Sequence, residues 1–286
     1  MKVPAKGYGS YGPSPWQQTS WDARAAGNFI GGGMGSGLIV FAALSLATGP
    51  ALSVLVLSGL ALAGLGLFCV ALELGRPLRA IRVLRNPRTS WMAREAWTAM
   101  LLFPIGLAAA AGVTGTAWLA AGLALVFVYC QASLLQAAKG IPAWREPLLR
   151  PLLVTTGLVE GGGAFMLTTP FHGAATGATV ILFGALVVAR FVVWVAYRRR
   201  LAGSAAPGAR AALDAAGRVL MFAGTLLPLV LMAVAAFVGV FGLSIAALAG
   251  LLAALAGAWA KLVIVTRAGF NQGFALAHLP VRGARP

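Results

Sequence analysis

The chain has 286 residues, 60% of them hydrophobic and only 10% charged, with a mean hydropathy of +0.88. Apolar surface on that scale is buried only in lipid, which excludes an ordinary soluble enzyme. The formal net charge of +16 would suggest nucleic acid in a soluble protein, but no soluble basic domain exists to carry such binding, and cations at span ends serve anionic headgroups or an acidic partner.

Residues 1–20 are polar and rich in Gly, Pro, Ser and Tyr, and they read as an extended cytoplasmic arm. Working groups at the entrance of the first span, Asp22, Arg24 and Asn28, argue against a cleaved signal. Apolar runs follow at 25–47, 51–72, 92–111, 116–138, 148–168, 175–197, 216–241 and 243–266. Each is close to the ~20 residues that cross a bilayer core. They predict an all-α integral membrane protein with eight transmembrane helices in one domain, residues 21–267, followed by a cytoplasmic tail at 268–286.

The loops near 48–50, 112–115, 168–174 and 240–242 contain no Lys or Arg. The alternate loops and both termini hold the basic residues, including Lys2, Lys6, Arg267, Arg282 and Arg285. Basic loops are retained in the cytoplasm, so both termini are predicted there. The longest loop, from Arg198 to about Ala215, is too short for a soluble domain, so partner subunits are expected.

Cys69 and Cys130 fall inside spans with no CxxC spacing and read as inert buried thiols. Haem b needs ligands within the spans, yet His172 lies in a loop and His278 in the tail, so a haem-free chain is expected. Gly31, Gly32, Gly33, Gly35 and Gly37 sit in an apolar span and not in a βαβ unit, which favours close helix approach over a nucleotide loop. Glu160, near the middle of the fifth run, is costly in lipid and is read as a proton-handling group, with Gly161, Gly162 and Gly163 able to loosen its helix. Arg190 is a possible counter-ion for it, although both Arg190 and Lys261 lie close enough to the cytoplasmic end to snorkel.

A second constellation gathers at the cytoplasmic entrances: Trp21, Asp22, Arg24, Asn28, Glu73, Trp91, Arg94, Glu95, Tyr129 and Gln131. A quinone needs hydrogen-bond partners for two carbonyls, a proton-exchanging group and a flat apolar slot, and these residue types supply them. The bland reading makes the Trp residues an interfacial belt and the Arg residues topology anchors, but neither Glu95 nor Asn28 serves topology. Arg76, Arg79, Arg82, Arg85 and Arg88 recur every third residue with apolar residues between them, as in a surface helix that docks a partner or lies on phospholipid.

Three segments carry a family resemblance: TSWDARAAGNFIGGGMGSG from Thr19, ELGRPLRAIRVLRNPRTSWMAREAW from Glu73 and AKGIPAWREPLLRPLL from Ala138. They resemble the NrfD-like and DmsC-like membrane anchor subunits of molybdopterin oxidoreductases, and the similarity spans nearly the whole chain. The ending RAGFNQGFALAHLPVRG from Arg267 is most similar to anchors associated with phenylacetyl-CoA:acceptor oxidoreductase. The resemblance implies two four-helix bundles in a bacterial inner membrane. It also implies partners, a four-cluster iron–sulfur subunit and a catalytic subunit with molybdenum or tungsten bis-molybdopterin; family members differ in which side these occupy, and the charge bias here argues for the cytoplasmic face. The anchor would exchange electrons with menaquinone or ubiquinone in a pocket that maps onto Asn28, Glu95 and Tyr129, with Asp22, Arg24 and Gln131 nearby; Glu95, Asp22 and Glu160 would handle protons. Some relatives carry a His at the first entrance, and this chain has none there. A bare structural anchor and a secondary transporter are the competing readings.

Overall fold

The computed structural model describes residues 13–73 and 82–273. Its helices are α1 (Ala23–Leu44), α2 (Gly49–Ala71), α3 (Trp91–Ala110), α4 (Thr116–Gln136), the short α5 (Pro142–Arg145), α6 (Leu149–His172), α7 (Gly177–Arg200), α8 (Pro207–Met221), α9 (Leu227–Ala235) and α10 (Gly242–Thr266). A π-helical turn, Phe222–Leu226, fuses α8 and α9 into one element. β structure among the described residues is confined to a bridge between Gln17 and Phe270.

Seven of these elements are long and apolar enough to cross a membrane: α1, α2, α4, α6, α7, the fused α8–α9 and α10. This is an all-α membrane protein. The run at 92–111 does fold as a helix, α3, but Arg94 and Glu95 near its start leave it outside that set. The seventh apolar run begins earlier than its hydropathy suggested. Helix α8 starts at Pro207, inside the expected loop, because Ala209, Leu213, Ala216 and Leu220 make a buried stripe at helical spacing while Asp214 pairs outward with Arg198.

Helix α1 is the axis of the molecule, packed against α2, α4, α6 and α10. Its glycines permit this: a Cβ at Gly37 would lie 2.5 Å from the Gly157 carbonyl oxygen, and at Gly35 2.3 Å from that of Gly59. Helices α1–α4 form one group and α6–α10 another, with the α1–α6 seam joining them. The outer helices turn side chains such as Ile181 and Val192 of α7 and Leu65 of α2 outward, as lipid-facing surfaces do.

Candidate functional site

Asn28, Glu95 and Gln131 come from three different helices and meet in the interior, each nearly inaccessible. Asn28 Nδ2 donates to Glu95 Oε1 at 3.2 Å, and Gln131 Nε2 donates to the same oxygen at 3.1 Å. Gln131 Nε2 also faces the Asn28 backbone carbonyl at 3.1 Å and Oδ1 at 3.2 Å. Three surrounding acceptors fix the amide orientation and leave Gln131 Oε1 without a donor. Gly32 makes room for this amide, since a Cβ there would sit 2.2 Å from Gln131 Nε2. Glu95 has no ion-pair partner among the described residues. A carboxyl held only by neutral amides can exchange a proton without breaking a salt bridge.

Beside this network lies a cavity of about 190 Å³, mostly apolar, whose walls include Asn28, Glu95, Phe29, Leu67, Val70, Met92 and Leu134. The arrangement places the hydrogen-bonding groups of Asn28 and Glu95 at the edge of an apolar slot.

The mouth is lined by Trp21 and Glu73. Trp21 is held by Phe29 and Trp144, with ring centroids 6.0 and 5.1 Å away. Glu73, read from the sequence only as part of the entrance group, thus belongs to the cavity itself. Asp22 caps α1, accepting from Arg24 N at 2.7 Å, and its carboxylate pairs with the Arg24 guanidinium at 2.8 Å. The hydrogen bonds from Arg24 hold Asp22 below the usual carboxylate range. Burial first, then the Asp22 charge, push Glu73 above it. Asp22 and Arg24 are half-exposed at the rim and do not reach the network.

Tyr129 stands apart from the cavity on the outer side of α4. It packs edge-on against Trp91 with centroids 5.9 Å apart, and Arg150 Nη1 donates to its hydroxyl at 3.3 Å. Arg94 covers the other ring, 4.2 Å from the Trp91 centroid, while donating to the Pro87 and Arg88 carbonyls. Arg82, Arg85 and Arg88 are exposed. Arg76 and Arg79 lie outside the described residues, as does His278.

A separate cluster of charge lies deeper. Glu160 and Arg190 have no exposed surface and Lys261 has 1%. Neither cation snorkels, contrary to that expectation, and Lys261 rather than Arg190 is the ion-pair partner: its Nζ lies 2.6 Å from Glu160 Oε2 and donates to the Phe29 carbonyl at 2.7 Å. Arg190 instead donates to the Ala253 carbonyl at 2.9 Å and to the Gly224 carbonyl. Gly224 sits in the π-helical turn, where the widened backbone leaves a carbonyl free for a side chain. Sequence spacing could not show that α6 and α10 face each other at this depth.

His172 ends α6, its Nδ1 accepting from Ala174 N at 2.9 Å, and Cys69 and Cys130 are free thiols. Among the described residues no group of three or more His, Cys, Asp or Glu is placed to hold a metal. No protein-family model matches the chain, and none of the curated proteins gives a significant match.

Proposed function

We propose that this chain is the haem-free, quinone-reactive membrane anchor of a molybdo- or tungsto-oxidoreductase complex, passing electrons between a cytoplasmic iron–sulfur subunit and the quinone pool. The observation that carries the reading is the apolar cavity whose buried end is the Asn28–Glu95–Gln131 network. A bound quinone would supply the two-electron, two-proton chemistry. Asn28 orients a ring oxygen by donating its amide, Gln131 holds Asn28 and Glu95 in register, and Glu95 takes or gives the proton at its carboxyl. Glu73 and Asp22, at the mouth, connect that carboxyl to water, and Glu160 extends proton handling inward. Tyr129 and Arg24 border the site without lining its buried end. The exposed Arg82, Arg85 and Arg88 offer the iron–sulfur partner a basic surface for acidic groups; Arg76 and Arg79 join them in this docking role on the sequence spacing alone. The resemblance to anchors of phenylacetyl-CoA:acceptor oxidoreductase makes a CoA thioester the favoured substrate of the catalytic partner.

Eight crossings, in a bacterial inner membrane with both termini cytoplasmic, belong to the same proposal. What supports an even number is the Gln17–Phe270 bridge, which ties the chain before α1 to the chain after α10 at one end of the bundle. Seven crossings would separate those ends, so α3 is counted as the eighth.

The test is gentle purification of the tagged chain from its native membrane, followed by analysis for co-eluting subunits, iron, molybdenum or tungsten, and extractable quinone. Recovery of all of them, with quinone lost from Asn28→Leu/Glu95→Leu, is the expected result. A secondary transporter is the second reading, favoured by the buried Glu160–Lys261–Arg190 cluster. Recovery of the chain alone, without metal or quinone, would shift the assignment there.

A further inference from the structure

Three ionisable side chains from three helices are sealed in the interior with nothing assigned to them beyond Glu160's general part in proton handling. Fully charged, Arg190, Lys261 and Glu160 carry a net charge of +1. Arg190 stays protonated in proteins and is anchored by two backbone carbonyls, so it is the fixed charge. Glu160 neutralises it. The ammonium proton of Lys261 is then the surplus charge, and it can leave the cluster as a neutral set or return to make it cationic.

No other titratable side chain faces these groups among the described residues; Glu160, Lys261 and Arg190 sense only one another. From α1 they meet the Phe29 carbonyl and Gly33, where a Cβ would lie 2.3 Å from Lys261 Nζ. The π-helical turn presents the Gly224 carbonyl, and α10 presents Ala253 O and Gly257. A Cβ at Gly257 would come within 3.1 Å of both Arg190 Nη1 and Glu160 Oε1, so glycine leaves the two charged groups uncrowded there. Glu160 Oε1 and Arg190 Nε are buried without hydrogen-bond partners, so the cluster is not a closed structural pair.

The geometry also ties the cluster to the cavity. Lys261 is bonded to the carbonyl of Phe29, whose ring lines the cavity and which directly follows Asn28 in α1. A negative charge in the cavity and the charge on Lys261 therefore interact through a low-dielectric interior, and an anion arriving at one favours the proton at the other.

We propose that the Glu160–Lys261–Arg190 cluster is a charge-compensating proton site, which takes a proton from water onto Lys261 Nζ when an anionic ring headgroup occupies the Asn28–Glu95 cavity. The ligand half of this inference rests on the quinone reading; the proton half does not. The role is local compensation at the cavity, not a path across the membrane.

The test uses the full chain in lipid nanodiscs and an alkyl hydroxyquinoline N-oxide, an acidic mimic of a quinol, as the probe. Titration calorimetry in two buffers of different ionisation enthalpy reads the protons taken up with the probe. The wild type should take up a proton on binding and lose affinity as pH rises. The double variant Glu160→Gln/Lys261→Met leaves Arg190 on its two carbonyls as a permanent +1, the charge of the protonated cluster, and should bind within a few-fold of wild type with that uptake lost. Uptake unchanged in the double variant would place the proton on the cavity carboxyls and overturn the proposal. Should the wild type bind no probe, the quinone reading fails by itself. The proton site is then judged without ligand by pH-difference infrared spectra, where a signal present in wild type and missing from the double variant upholds it and identical spectra end it.

Discussion

Replacing Lys261 alone by Met would take from Glu160 its contact ion-pair partner, leaving only the Arg190 charge to balance it, and would take from the Phe29 carbonyl its donor. Removing one member of a buried pair typically costs about 3–5 kcal/mol, and the remaining Arg190 charge keeps this loss at the lower end. Thermal unfolding in nanodiscs should therefore rank Lys261→Met below wild type, and Glu160→Gln, which leaves the cations without an anion, lower still. Equal stability of Lys261→Met and wild type would contradict the pairing. At the cavity mouth the signs run in opposite directions. Glu73 has a raised value in the folded protein, so its contribution is fully present below its ordinary 4.5 and is lost as pH rises through the raised value. Asp22 has a lowered value, so its contribution is present above 3.8 and lost as pH falls through the lowered value. Melting measured at pH 7 and pH 4 should show Glu73→Gln gaining on wild type only at the higher pH; a gain of the same size at both would remove the burial argument. The sequence made Glu160 and Glu95 legible because acids in apolar runs are costly. It did not reveal which cation reaches Glu160, because that depends on rotations of α6 and α10 that no spacing records.

Helix α1 is held by backbone contact more than by side chains, so its seam with α6 should respond to single methyl groups. A Cβ at Gly161 would lie 2.2 Å from both the Gly37 carbonyl carbon and Leu38 N, atoms that can move only if the helices part. Gly161→Ala is expected to cost about 1–3 kcal/mol, the range for overpacking a fitted interior, and to weaken the α1–α6 seam that positions Asn28 and Lys261. Gly122→Ala in α4 is the matched control, since its Cβ would have no neighbour within 4 Å. Comparable losses in the two variants would mean that helix propensity or lipid contact, not the seam, is being measured. The glycine run in α1 announced this packing in the sequence. The start of α8 did not, because its small, charged first turns look like a loop until the buried stripe from Ala209 to Leu220 is seen against α10.

The proposed direction of the whole bundle in a membrane rests on combining charge with the clasp at its ends. Gln18 N donates to the Gly269 carbonyl at 2.7 Å, Asn271 N to that of Trp16 at 3.1 Å, and Trp16 N to Asn271 Oδ1 at 3.0 Å, so the chain enters and leaves the bundle at one place. Under the proposed eight crossings the basic loops share that end and the loops without Lys or Arg occupy the other, and the positive-inside rule would then turn the clasp and the cavity mouth toward the cytoplasm. Hydropathy alone stops at seven clear crossings, because Arg94 and Glu95 lower the apolar character of α3. Single cysteines in a background with Cys69 and Cys130 replaced decide the matter. Val113→Cys and Ala175→Cys should react with an impermeant maleimide in intact cells, and Arg88→Cys and Gly203→Cys only after lysis. Labelling of positions 88 and 113 from the same side would mean that α3 does not cross. The Gln17–Phe270 clasp would then have to form across a bilayer, which no such contact can do, so the same result would also require a different arrangement of the ends.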